Sequence, residues 1–213
     1  MFTIPSRAVK GRGALRRSLP RACVGSVRIL FLENDDSFSW NVVDRLPVPR
    51  DGIIVRPGRE AAQDPDALSG FDVVVMGPGP TDPERAGLVG VVFEAARRKL
   101  PFLGICLGHQ ALGLAFGARL VRVHPTHGKR SPVVFGTSRL LPRFRGPVRV
   151  MRYHSLALTG VVSPLRVVAE TSDGIPMAIE HETLPMAGLQ FHPDSYATAR
   201  GAELLADFFR AVR

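Results

Sequence analysis

The sequence predicts an α/β domain, flavodoxin-like in topology, with an open mixed sheet and helices on both faces. Three observations carry this. Short apolar runs alternate with segments of helical spacing through the first half of the chain, the pattern of parallel strands joined by crossover helices. The runs are continuous, as strands buried within a sheet core require. Past about residue 118 strand candidates crowd together without helices between them, which reads as an antiparallel or mixed addition to the same sheet.

Val27–Leu32 (VRILFL) is the first strand. Asp36 and Ser37 follow it and suit a helix cap, and helical spacing continues to Leu46. Trp40 falls in that stretch and is read as a packing residue. Phe71–Met76 (FDVVVM) is a second buried strand, closed by Gly77–Pro80. Ala86–Lys99 is helical, with Leu88, Val91, Val92 and Ala95 on one face. Pro101–Ile105 is a third strand and Gln110–Phe116 a third helix. Short strands are then expected around Val121, Val133–Val134, Val148–Met151, Val167–Ala169 and Met177–Ile179. Leu204, Leu205, Phe208, Phe209 and Val212 recur at helix spacing, so Gly201–Val212 should form a covering helix.

A length of 213 residues suits one domain, or one with an appendage, and suffices for a core without disulfides. No uncharged apolar run reaches the roughly 18 residues of a membrane span, and no membrane partner is expected. Cys23 and Cys106 form neither a disulfide framework nor a Cys-based zinc site. A reducing, cytoplasmic setting follows. Net charge is +9, and Arg7, Lys10, Arg12, Arg16, Arg17 and Arg21 all lie in residues 1–26, which lack Asp and Glu. Such a field supports non-specific association at most. With no recognition motif beside it, no nucleic-acid partner is expected. Residues 1–26 read as a disordered basic extension and residues 27–213 as the domain. The extension has the composition of a transit peptide; a solvated tail, a mis-assigned start or a linker remnant fits it equally.

The most informative stretch is PFLGICLGHQALGLAFG, Pro101–Gly117. A strand runs into Gly104-Ile105-Cys106-Leu107-Gly108 and a helix follows, the form of a nucleophile elbow with Cys in place of Ser. Such a turn holds its central residue in a strained conformation, and flanking glycines relieve the crowding. The side chain then projects at the C-terminal edge of the sheet. A helix N-terminus beside the sulfur favours thiolate, and backbone N–H groups there can stabilise an oxyanion. On this pattern alone a buried structural cysteine remains the alternative. His109 reads as helix-facing and structural.

GICLGHQ resembles the nucleophile motif of class I, triad-type glutamine amidotransferases. Four more segments match in that family's order: DDSFSWN (Asp35–Asn41), GPGPTDP (Gly77–Pro83), the loops HGKRS (His127–Ser131) and RYHSL (Arg152–Leu156), and LQFHPDS (Leu189–Ser195). Within the family, HGK together with RYHSL resembles the glutaminase component of anthranilate synthase or of 4-amino-4-deoxychorismate synthase.

The resemblance implies hydrolysis of L-glutamine to glutamate and ammonia through a Cys106 thioester, with no cofactor and no metal. It implies His192 as base and later acid, with Asp194 orienting it. The family has Glu at that last position, so Asp194 is one methylene short. The implied oxyanion donors are the backbone N–H groups of Gly79 and Leu107. Aligning Pro78-Gly79-Pro80 with the family's P-G-P places Thr81 where Gly is usual, a strained choice if the position needs positive φ. Gly79, Pro80, Thr81, Gln110, Ser155 and Leu156 are the implied substrate-binding residues. His127, Lys129 and Arg152 read as interface or loop residues. His124 and His127 lack the carboxylate or Cys companions of a metal site.

The implied role is ammonia supply to a chorismate-binding synthase subunit, in tryptophan or folate biosynthesis. Other amidotransferases fit less well. Carbamoyl-phosphate small subunits carry an extra N-terminal domain, the GMP and CTP enzymes usually fuse a synthetase, and a γ-glutamyl hydrolase would not need HGK and RYHSL. A catalytically weakened binding subunit is the alternative of another class, motivated by Asp194 and Thr81.

Overall fold

The computed structural model describes residues 27–213, so the basic extension lies outside the described residues. The chain runs β1 (Ile29–Glu33), α1 (Ser39–Arg45), β2 (Ile53–Pro57), α2 (Gly58–Ala61), β3 (Val73–Met76), α3 (Leu88–Arg97), β4 (Phe102–Ile105) and α4 (Leu107–Ala115). It continues through β5 (Arg119–Phe135), β6 (Gly146–Thr159), β7 (Leu165–Glu170), β8 (Pro176–His181), β9 (Met186–Leu189) and α5 (Gly201–Ala211). One nine-stranded sheet results, in the order β2-β1-β3-β4-β9-β8-β7-β5-β6. The first five strands are parallel and the rest pair antiparallel. The parallel half has the flavodoxin-like order. Its fifth place is filled by β9, which enters the sheet only after the antiparallel strands.

Strand alternation explains the two-sided core. In β1, Ile29 and Phe31 join one apolar cluster and Leu30 and Leu32 the other. The first cluster takes Val42, Val43 and Leu46 from α1 and its end, and Leu204, Leu205, Phe208 and Phe209 from α5. The second takes Leu88, Val91, Val92 and Ala95 from α3 and Leu107, Ala111, Leu112 and Ala115 from α4. The continuous apolar runs are therefore strands covered on both faces. Among the described residues no helix is long and apolar enough to cross a membrane.

Three expectations need correction. The late strands are not all short: the candidates around Val121 and Val133–Val134 are parts of one 17-residue strand, β5, paired with the 14-residue β6. Most of β5 is exposed, so no apolar alternation marks it. Register shifts between Arg122 and Thr126 and between His127 and Lys129 carry the pair past Pro125 and Gly128. Trp40 is not a packing residue: it is 51% exposed, beneath the Arg50 guanidinium. Helix α1 starts at Ser39, and Phe38 rather than Ser37 holds the cap position. Asp36 still serves that end, its carboxylate accepting the Phe38 N–H at 2.8 Å.

Candidate active site

The parallel register gathers the site at one edge. Ile105, the last residue of β4, pairs with Leu189, the last residue of β9. The Cys106 N–H donates to the Leu189 carbonyl at 2.7 Å. The residues that follow the two strands, Cys106 and Gln190-Phe191-His192, must then emerge side by side. The His192 N–H donates to Met151 of β6 at 3.1 Å, which ties the segment to the antiparallel half.

Cys106 sits at φ 52° and ψ −96°, between β4 and α4. That conformation costs an L-residue about 1–3 kcal/mol, and the packing around it is built for the turn. A Cβ on Gly104 would lie inside contact distance of the Gly108 backbone and 2.6 Å from the His109 nitrogen. The helix that follows puts its free N–H groups at the sulfur's end. Among the described residues no hydrogen-bond acceptor is found for the amides of Leu107 and Gly79, as an oxyanion site requires. A Cβ on Gly79 would lie 2.6 Å from a Leu107 side-chain carbon and 2.8 Å from the Asn34 carbonyl, so the loop after β3 lies directly against the start of α4. Thr81 is not among the residues of positive φ, so no strain of that kind arises there.

His192 is 2% exposed. Its Nδ1 lies 3.4 Å from Asp194 Oδ1, too long for a strong hydrogen bond, and both atoms are buried without another partner. Burial works against an imidazolium, but the Asp194 carboxylate and the Cys106 sulfur outweigh it, and the His192 pKa rises to about 10. Phe38 and Tyr153 pack edge-on against the ring at centroid distances of 5.7 and 5.2 Å. They stack on each other at 5.1 Å. The imidazole is thus held by rings as much as by its carboxylate.

Gln110 is buried, its amide donating to the Leu156 carbonyl at 3.3 Å and to Gln190 Oε1 at 3.2 Å. Leu156 also borders a cavity of about 640 Å³, with Pro80, Thr81, Arg119 and Arg122. Ser155 is its neighbour on β6, half-buried. The structure therefore brings Gly79, Leu107, Gln110 and Leu156 to the edge that carries Cys106. His109 is fully buried, and burial first, then the nearby His154, lowers its pKa to about 3. Among the described residues no group of three or more His, Cys, Asp and Glu side chains is placed to hold a metal ion.

Sequence reasoning missed Gln190, Phe38, Tyr153 and His154 as members of the site. Each lies inside a quoted motif. What marks them is burial or ring contact, and neither is visible in the chain.

Residues 30–212 match the family glutamine amidotransferase class-I. The chain is 42% identical over 188 residues to anthranilate synthase component 2 of Mycobacterium tuberculosis, covering 85% of this chain and 81% of that one. It is 41% identical over 186 residues to aminodeoxychorismate synthase of Streptomyces griseus, covering 85% of this chain but spanning only 26% of that protein's length. A solved glutamine amidotransferase from Thermotoga maritima shares the fold, with a TM-score of 0.65 at 18% identity over 87% of this chain and 83% of that one.

Proposed function

The chain belongs to the class-I glutamine amidotransferase family, and we propose that it is the glutaminase subunit of a chorismate-using synthase. It releases ammonia from L-glutamine for a partner subunit that binds chorismate. The observation that carries the reading is the paired ends of β4 and β9, which set Cys106 beside His192 at the edge holding two acceptor-free amides. The likeness to anthranilate synthase component 2 and to aminodeoxychorismate synthase supports the partner. The reading places the protein in the cytoplasm.

The raised pKa makes His192 a strong base, placed to take the Cys106 proton as the sulfur attacks. The Cys106 sulfur adds to the carboxamide carbon of glutamine. The amides of Gly79 and Leu107 hold the oxyanion as it forms. His192 gives its proton to the nitrogen, the C–N bond breaks, and ammonia leaves a Cys106 thioester. Neutral His192 then takes a proton from water as the hydroxide adds to the thioester carbon. Collapse releases glutamate, and the proton on His192 returns to the Cys106 sulfur. Asp194 fixes the imidazole and stabilises its charge. The backbone groups of Ser155 and Leu156 hold the substrate's amino-acid end, and Gly79, Pro80, Thr81 and Gln110 complete the seat for glutamine.

The test is glutamate release from glutamine, with and without the chorismate-binding subunit, and with Cys106→Ala as control. The expected result is partner-stimulated release that Cys106→Ala abolishes. Release no greater than the Cys106→Ala background, with the complex intact, would make the chain a binding subunit. The 3.4 Å His192–Asp194 gap is the observation that favours this second reading.

A further inference from the structure

We propose that Gln190 is a further catalytic residue: its side-chain amide donates an N–H to the Cys106 sulfur, oriented by Gln110, which the Leu156 carbonyl orients in turn. The inference rests on the glutaminase reading for its chemistry. Its geometry stands alone.

The chain has one possible polarity. Arg152 Nε can only donate, and it lies 3.0 Å from His154 Nε2. That nitrogen must accept, so the proton of neutral His154 is on Nδ1, which donates to the Leu156 carbonyl at 2.9 Å. Burial, then the Arg152 charge, hold the His154 pKa down at about 4, which preserves this tautomer at neutral pH. The Leu156 carbonyl also accepts from Gln110 Nε2 at 3.3 Å. A carbonyl cannot donate, so Gln110 must turn its NH2 toward Leu156. The same NH2 reaches Gln190 at 3.2 Å, and the atom facing it must be Oε1. The Gln190 NH2 is left for the sulfur, 3.6 Å away. An amide's orientation is normally a free choice of two; here a backbone carbonyl decides it.

Gln190 is fully buried and Gln110 nearly so. An N–H aimed at sulfur in such a site stabilises thiolate over thiol and over the neutral thioester sulfur. It also leaves His192 as the partner for the thiol proton. His192 also faces the sulfur, with Asp194 behind it, and His154 and Arg152 lie beyond. The chain further joins the nucleophile to the Leu156 backbone, so substrate seat and sulfur form one hydrogen-bonded unit.

The test is the pH dependence of Cys106 alkylation by iodoacetamide, in the full-length protein with Cys23→Ser so that one thiol is read. Gln190→Met keeps the volume and removes the donor. The midpoint should rise by about one pH unit, or roughly tenfold slower alkylation well below it. Gln110→Met leaves Gln190 in place without its orienting partner, and should shift the midpoint the same way by less. A merely structural Gln190 would lower the unfolding temperature without moving the midpoint. An unchanged midpoint in either folded variant overturns the assignment. Alkylation needs no glutamine, so failure here is distinct from failure of the glutaminase reading, which the Cys106→Ala turnover control decides.

Discussion

Replacing Asp194 with Asn removes a charge but little volume, and its cost can be worked from the structure. The carboxylate lies 3.4 Å from His192 Nδ1, both side chains almost wholly buried. At that separation and an effective dielectric of about 20, a unit charge pair is worth roughly 5 kcal/mol. The His192 pKa moves in the same sense: burial lowers it, but Asp194 and Cys106 outweigh burial and raise it to about 10. A loss of roughly 3 kcal/mol from the transition state, the low end for breaking one partner of a buried pair, lowers kcat about 10²-fold, with KM nearly unchanged. The assay is steady-state glutamate release with the partner subunit, beside an NMR titration of the His192 ring, whose pKa should fall. The Asp194→Glu variant is the control for reach. The present gap exceeds a normal hydrogen bond by about 0.6 Å, whereas a methylene adds about 1.5 Å. The excess must be taken up elsewhere, and turnover should stay within about threefold of the parent. A folded, partner-binding Asp194→Asn protein whose kcat is also within threefold would refute the carboxylate's role.

Four further outcomes follow from the structure. A raised His192 pKa contributes stability that is fully present below pH 6.5 and is lost as pH rises through about 10; denaturant unfolding of Asp194→Asn should show a flatter stability profile across that window. Glu180 is fully buried, and although burial raises its pKa, the Arg139 and Leu140 amides, Ser138 and Arg166 together lower it below 4.5. Its stabilisation is present above 4.5 and lost as pH falls through the lower folded value, so Glu180→Gln should be less stable at pH 7 while losing less on acidification. Gly104→Ala sets a Cβ against the Gly108 and His109 backbone and should cost about 3 kcal/mol or more; an unfolding midpoint equal to the parent's would contradict the elbow packing. Tyr153→Leu removes a ring 5.2 Å from the His192 ring and should lower kcat roughly fivefold; equal turnover would show that the rings do not hold the imidazole.

What the sequence determined by itself is local. A continuous apolar run such as Ile29–Leu32 needs cover on two faces wherever it lies, and Gly104-Ile105-Cys106-Leu107-Gly108 can make a strand-to-helix turn because its glycines tolerate the close approach. The fold class, the elbow and the covering helix α5 were therefore legible before any contact was known. Signals weakened where side chains have no common environment. The Ile53–Pro57 strand lies at the sheet edge and is half-buried, and β9 is only four residues long, so neither carries a pattern. Exposed β5 hid its length for the same reason. The tertiary structure alone decided that β9 pairs with β4 across more than eighty positions of chain, and this pairing puts Gln190 and His192 beside Cys106. It alone set the His192–Asp194 distance, turned Trp40 outward and aimed the Gln190 amide. Periodicity records which faces are buried; it does not record which buried face meets which. That choice is made when strands distant in sequence share one sheet, and the chemistry of this site depends on it.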